Sequence, residues 1–168
     1  MDANFPYALN RVLGVEGGIS NDPNDHGGFT NHGIIQTEYD TYRLKRGLPS
    51  QSVALISNSE IVDIYRTEYW LPAQCDKLPA GVDVIHFDVA VNSGPREAAI
   101  LLQRSIGATV DGIIGQHTLD KVNSLDARSV VGEYVEKRSD YYVDIVEKDV
   151  FQMEFLKGWL RRAISFIK

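Results

Sequence analysis

Apolar positions recur along most of the chain at three- and four-residue spacing, which is the period of helices packed on a core. Pro6 suits a first helical turn, and Leu9, Leu13 and Glu16 follow at i, i+4 and i+7 with Val12 beside them. Gly17 and Gly18 then end this first predicted helix. A segment dense in Asn, Asp, Pro and Gly comes next and reads as a loop or small hairpin over 19–36. A short helix is expected over 38–46, stopping at Gly47-Leu48-Pro49. Ser57 and Glu60 have capping-box spacing and open a helix that runs to about Trp70.

After a break at Pro72, Pro79 is expected to open a helix closed by Asn92-Ser93-Gly94. Pro95 starts another, ended by Gly107. A turn-rich connector, "ATVDGIIGQHT", feeds a short helix from about Thr118. The remaining residues are helical by periodicity, with a bend near Lys148 to Val150. Strand signal is confined to 19–36. The expected fold is mostly α, a helical bundle with a small β-hairpin or loop wing at about residues 19–36. The expected organisation is an N-terminal lobe over 1–78 and a helical C-terminal lobe over 79–168, packed as one body.

Composition changes this picture little. With 168 residues, 43% of them apolar, the chain can bury a core of ordinary size. Cys75 is the only cysteine, so no intrachain disulfide contributes. The first residues carry Asp2 where a signal peptide would be basic, and no stretch approaches the length of a membrane span. The protein is therefore expected to be made as a reduced cytoplasmic chain. A net charge of -6 argues against nucleic acid as a partner. Residues 157–168 depart from that balance, holding Lys157, Arg161, Arg162 and Lys168 and no acid. The helix over 156–168 can dock its apolar face on the bundle, or settle on anionic membrane or lipopolysaccharide.

Candidate chemistry centres on "VLGVEGGISNDPNDHGGFTNHGII", residues 12–35. A glutamate is poorly placed in the last turn of a helix, where unsatisfied carbonyls carry partial negative charge. Glu16 lies in register with the apolar stripe, so desolvation and the helix end both favour its protonated form, as a general acid requires. The alternative is a partly buried carboxylate satisfied by an arginine or the backbone. A glycosidase needs a second carboxylate, and the loop offers Asp22 and Asp25. Asp22 precedes Pro23 and reads as a turn former, which favours Asp25; the Thr30 hydroxyl can orient a water. Tyr69 and Trp70 can line a glycan groove or serve the core, and Asn92 reads as a helix C-cap before a proline. No cofactor is expected. An EF-hand reading fails because Gly33 stands where a bidentate glutamate belongs. The four histidines and Cys75 have no compact zinc-ligand spacing.

The segment "EGGISNDPNDHGGFTNHGII" resembles the N-terminal signature of glycoside hydrolase family 108, the phage and prophage muramidases. The likeness continues through "IYRTEYWLPAQCDKLPAGVDVIHFDVAVNSGP" and into "AAILLQRSIGATVDGIIGQHTL", which looks like the peptidoglycan-binding segment paired with these enzymes. It spans roughly residues 7–122. The resemblance implies a lysozyme-like fold with its catalytic lobe over 1–78, a substrate-side role for Asn92, and an endolysin-type muramidase that cleaves the β-1,4 bond between N-acetylmuramic acid and N-acetylglucosamine. It puts Glu16 on the family's catalytic glutamate, with Asp25 and Thr30 as partners, bacterial peptidoglycan as substrate and a monomer that reaches the periplasm on release. Two positions depart from the family pattern. Ile19 replaces an aromatic residue, and Ile35 stands where a threonine is usual, which leaves open whether Thr30 is the functional one. A lytic transglycosylase using Glu16 alone, and a wall-binding protein without activity, are the rival readings.

Overall fold

The structure is a computed structural model that describes residues 2–16 and 30–168. Among these, eight α-helices and one two-stranded hairpin form the mostly α, lysozyme-like architecture expected from the apolar spacing. Contacts divide the chain into two units: Phe5–Glu68, and Tyr69–Lys168 together with the chain start up to Asn4.

In the smaller unit, α1 (Phe5–Glu16) buries Phe5, Ala8, Leu9 and Val12, one face of a 3.6-residue period. The hairpin follows, β1 (Thr30–Asn31) pairing antiparallel with β2 (Ile34–Ile35). It leads directly into α2 (Gln36–Lys45), which starts two residues earlier than the sequence suggests because Ile35 already stands as its N-cap. α3 (Asn58–Ile64) carries the complete capping box. The Ser57 side chain accepts from the Glu60 N–H, and the Glu60 carboxylate accepts from the Ser57 N–H at 2.9 Å. The helix does extend to Trp70, but Tyr65–Trp70 is a π-helix, a widened turn that periodicity does not signal. A 3-10 turn over Val53–Leu55 was likewise without a signal in the apolar pattern.

The larger unit is built around α4 (Val82–Ser93), whose residues Val82 to Ala90 are all buried. A helix buried on every side lies at the centre of its bundle. It starts at Val82 rather than at Pro79. The cap is made by Asp83, whose Oδ1 accepts from the Gly81 and Val84 N–H groups, both at 2.8 Å. Gly81 itself sits at φ +92°, a conformation favouring glycine. α5 (Pro95–Ser105) and α7 (Ala127–Lys148) pack on α4, α6 (Gln116–Asn123) lies against α7, and α8 (Met153–Ile164) folds back on α7. The bend falls at Asp149, whose side chain accepts from the Phe151 N–H.

One buried carboxylate ties three of these helices together. Asp88 of α4 meets Arg138 of α7 at 2.6 Å and Arg162 of α8 at 2.9 Å. Arg162 is therefore not part of a solvated basic face; it turns inward as the counter-charge that docks α8. Ala163 is fully buried beside it, Trp159 packs on Tyr142 at 5.3 Å, and Lys157, Arg161 and Lys168 remain exposed.

Candidate active site

α1 delivers the backbone of Glu16 as its last residue. Asp22 and Asp25, with Gly17, Gly18 and Ile19, lie outside the described residues. The chain reappears at Thr30, the first residue of β1, paired in register with Ile35. Between the strands, His32 and Gly33 both have positive φ, 53° and 77°, the requirement of a two-residue I′ turn whose twist suits a tight hairpin. Glycine meets that demand without strain, and His32 is held there by neighbours. Its Nδ1 donates to Asn31 Oδ1 at 2.7 Å, and its carbonyl accepts from the Tyr65 hydroxyl at 2.8 Å.

The hairpin is fixed from below by a chain of buried and half-buried polar groups. Asn31, only 5% exposed, donates from Nδ2 to the Val53 carbonyl at 3.1 Å. Gln36 accepts from the Val53 N–H at 2.7 Å and donates to the Gln51 carbonyl at 2.9 Å. Gln51 donates onward to the Tyr39 hydroxyl at 3.1 Å, and Tyr39 donates to Glu60 at 2.9 Å. Arg43 closes the network on Glu60 at 2.6 Å. Burial opposes the Glu60 charge, yet the hydrogen bonds from Ser57 and Tyr39 and the Arg43 guanidinium outweigh it and hold the carboxyl below its ordinary range. Burial and the neighbouring Glu60 carboxylate push the Tyr39 phenol up, so both groups keep one protonation state through the neutral range. The network can therefore hold Thr30's strand in place without titrating.

These positioning residues carried little signal in the sequence. Asn31 and Gln36 are ordinary polar residues in a turn-rich segment, and their shared partner Val53 is a tertiary neighbour far along the chain. The exception is Glu60, marked by its capping box.

The remaining predicted positions belong to the larger unit. Trp70 is fully buried and meets Phe87 edge-on at 5.4 Å, a core position that presents no face to a sugar. Tyr69 is half-buried. Asn92 is exposed in the last turn of α4, donating to the Asp88 carbonyl at 2.5 Å, while the helix end itself is Gly94 at φ +86°. Cys75 is buried and its thiol is pushed well up by that burial, which makes it inert as a nucleophile. Among the described residues no cluster of His, Cys, Asp and Glu could hold a metal, and no helix is long and apolar enough to cross a membrane.

Comparison with known proteins extends over both units. The family model described as glycosyl hydrolase 108 matches residues 9–94, and one described as a predicted peptidoglycan domain matches residues 97–164. Among solved structures, that of SagA from Brucella abortus is similar over 100% of this chain and 98% of its own. The identity is 30% and the TM-score 0.74. No curated protein matches.

Proposed function

The chain belongs to glycosyl hydrolase family 108 and is a peptidoglycan hydrolase, and from that premise we propose that it is an N-acetylmuramidase with Glu16 as its general acid. The bond cut is the β-1,4 linkage between N-acetylmuramic acid and N-acetylglucosamine. One observation carries the assignment: α1 ends on Glu16, which lies within the family segment. A carboxyl at the carbonyl end of a helix keeps its proton more readily than one in water, and a general acid must start protonated.

In this reading Glu16 protonates the leaving oxygen as positive charge develops on the departing sugar carbon. Asp25, ionised, activates a water on the opposite face, and Thr30 helps to orient it. The anchored hairpin supports that role, since a water-orienting group works only if its backbone is held still. Water adds to the anomeric carbon and the proton passes to Asp25, leaving a reducing muramic acid end. The protein acts as an endolysin, made in the cytoplasm and reaching the wall once the inner membrane opens. The exposed Lys157 and Arg161 of α8, with Lys168 beyond it, then help an acidic protein approach an anionic wall, or an anionic membrane or lipopolysaccharide surface.

The test is mass spectrometry of the soluble fragments released from purified sacculi by the wild type and by Glu16→Gln. Reducing muramic acid ends, reduced about 10²–10⁴-fold in the variant, are expected. Anhydro ends would replace hydrolysis by a transglycosylase reaction, and undiminished release by Glu16→Gln would remove Glu16 from the chemistry.

A further inference from the structure

In the larger unit, the turn at 72–74, the start of α5 and the loop at 111–114 enclose a cleft of about 500 Å³. One buried amide shapes its wall. Gln103, 1% exposed, donates from Nε2 to Asp111 Oδ1 at 2.7 Å and to the Ile113 carbonyl at 2.9 Å. Its Oε1 accepts from the Asp111 N–H at 3.0 Å and the Gly112 N–H at 2.9 Å. Asp111 Oδ1 also accepts from the Ile113 N–H at 2.8 Å, so this oxygen is spent on the loop's own turn. Across the cleft, Gln74 donates to the Ile114 carbonyl at 2.7 Å and accepts from Lys77 at 3.0 Å. These amides, and that carboxylate oxygen, hold the walls and leave the cleft preformed.

Arg96 is different. It lines the same cleft, is exposed, and has no hydrogen-bond or ion-pair partner among the described residues. It is nevertheless seated. A Cβ on Gly112, which sits at φ +75°, would lie 3.1 Å from Arg96 Cγ and 3.4 Å from Arg96 Nε. The bare glycine is what lets the arginine side chain lie against the loop. An unpaired guanidinium held on a preformed cleft is suited to a planar anion, which it can grip through two parallel N–H donors.

We propose that this cleft binds the peptide stem of peptidoglycan, with Arg96 as the partner of a stem carboxylate. The choice of polymer rests on the reading of the chain as a peptidoglycan hydrolase. Within that polymer, the lactyl carboxyl of muramic acid is consumed in the amide to the stem, so the free carboxylates are the stem's own. The rest of the lining fits the same ligand. Pro72, Ala73, Pro95, Ala99 and Ile113 are aliphatic, matching the small side chains of a stem, and among the described residues no aromatic ring lines the cleft for a pyranose to lie on. The volume falls within the usual range for small-ligand sites and accommodates a few peptide residues. The cleft thus reads the substituent on the glycan, giving preference for wall that carries intact stems.

Calorimetry on the full chain tests this with three probes: the free pentapeptide stem, the same peptide with its carboxylates amidated, and a peptide-free N-acetylglucosamine tetramer. The free stem is expected to bind, and amidation or Arg96→Gln to weaken it about tenfold or more. Equal affinity in Arg96→Gln, no binding of the free stem, or binding of the tetramer alone would overturn the proposal. A stem holds no glycosidic bond, so this result is read independently of whether Glu16 is the acid.

Discussion

His86 sits fully buried in α4, and its protonation equilibrium offers the sharpest quantitative test of how this core is built. Nε2–H donates to the Ala73 carbonyl at 3.1 Å, which leaves Nδ1 bare to accept the Tyr134 hydroxyl at 2.9 Å. That hydroxyl proton is shared with the Ala98 carbonyl, also at 2.9 Å. The arrangement suits a neutral ring. Desolvation lowers the His86 pKa from 6.5 to about 4, against a smaller opposing effect from the Ala73 carbonyl.

Because the folded pKa lies below the unfolded one, the unfolded chain binds the extra proton first. Stability is therefore complete above pH 6.5 and falls as the pH drops toward about 4. At about 1.4 kcal/mol per pKa unit, His86 alone removes roughly 2 kcal/mol by pH 5 and roughly 3 kcal/mol by pH 4. Urea unfolding of the wild type and of His86→Gln across pH 4–8 isolates this contribution, since every other titrating group is common to both. Glutamine keeps one donor and one acceptor, so the variant should be less stable at pH 7 and the gap should narrow on acidification. A gap that is constant with pH would refute the buried neutral histidine.

Two further outcomes follow from the polar networks. Asp88→Asn leaves Arg138 and Arg162 without their shared counter-charge, and breaking a buried pair in this way costs about 3–5 kcal/mol, read as a lower urea midpoint. Hydrogen exchange should show α8 losing protection before α4, since α8 is the peripheral helix held by the pair. Gln36→Ala frees the Val53 N–H and Gln51 carbonyl beneath the hairpin, costing about 1–3 kcal/mol. Fragment release from sacculi should fall by more than the change in folded fraction explains; a fall that merely tracks stability would refute a positioning role.

Helix existence was legible because its signals are local. The capping box at Ser57, the Pro95 start, the Asp149 bend and the stripe of α1 each depend on residues within a turn or two of one another. Pro79 misled because proline before a helix is compatible with several starts, and the cap that decided the matter is the Gly81 N–H donating to the Asp83 carboxylate. Arg162 misled in the opposite sense. On a helical wheel it falls at the border of the apolar face, on the side away from Lys157, and only the approach of Asp88 from another helix turns it inward.

The candidate site divides the same way. Glu16 stood out by itself, since an acid at the end of an apolar stripe is a local conflict visible in the letters. The support of the hairpin was not visible, because Asn31, Gln36, Tyr39, Gln51 and Tyr65 are brought together only by folding. The sequence by itself determined the helical class, most helix breaks and the placing of Glu16 at the end of α1, all of them set by short-range propensity and spacing. Tertiary structure decided which charges are buried, what holds the hairpin and where Arg96 is seated, because those depend on which distant groups meet once water is excluded.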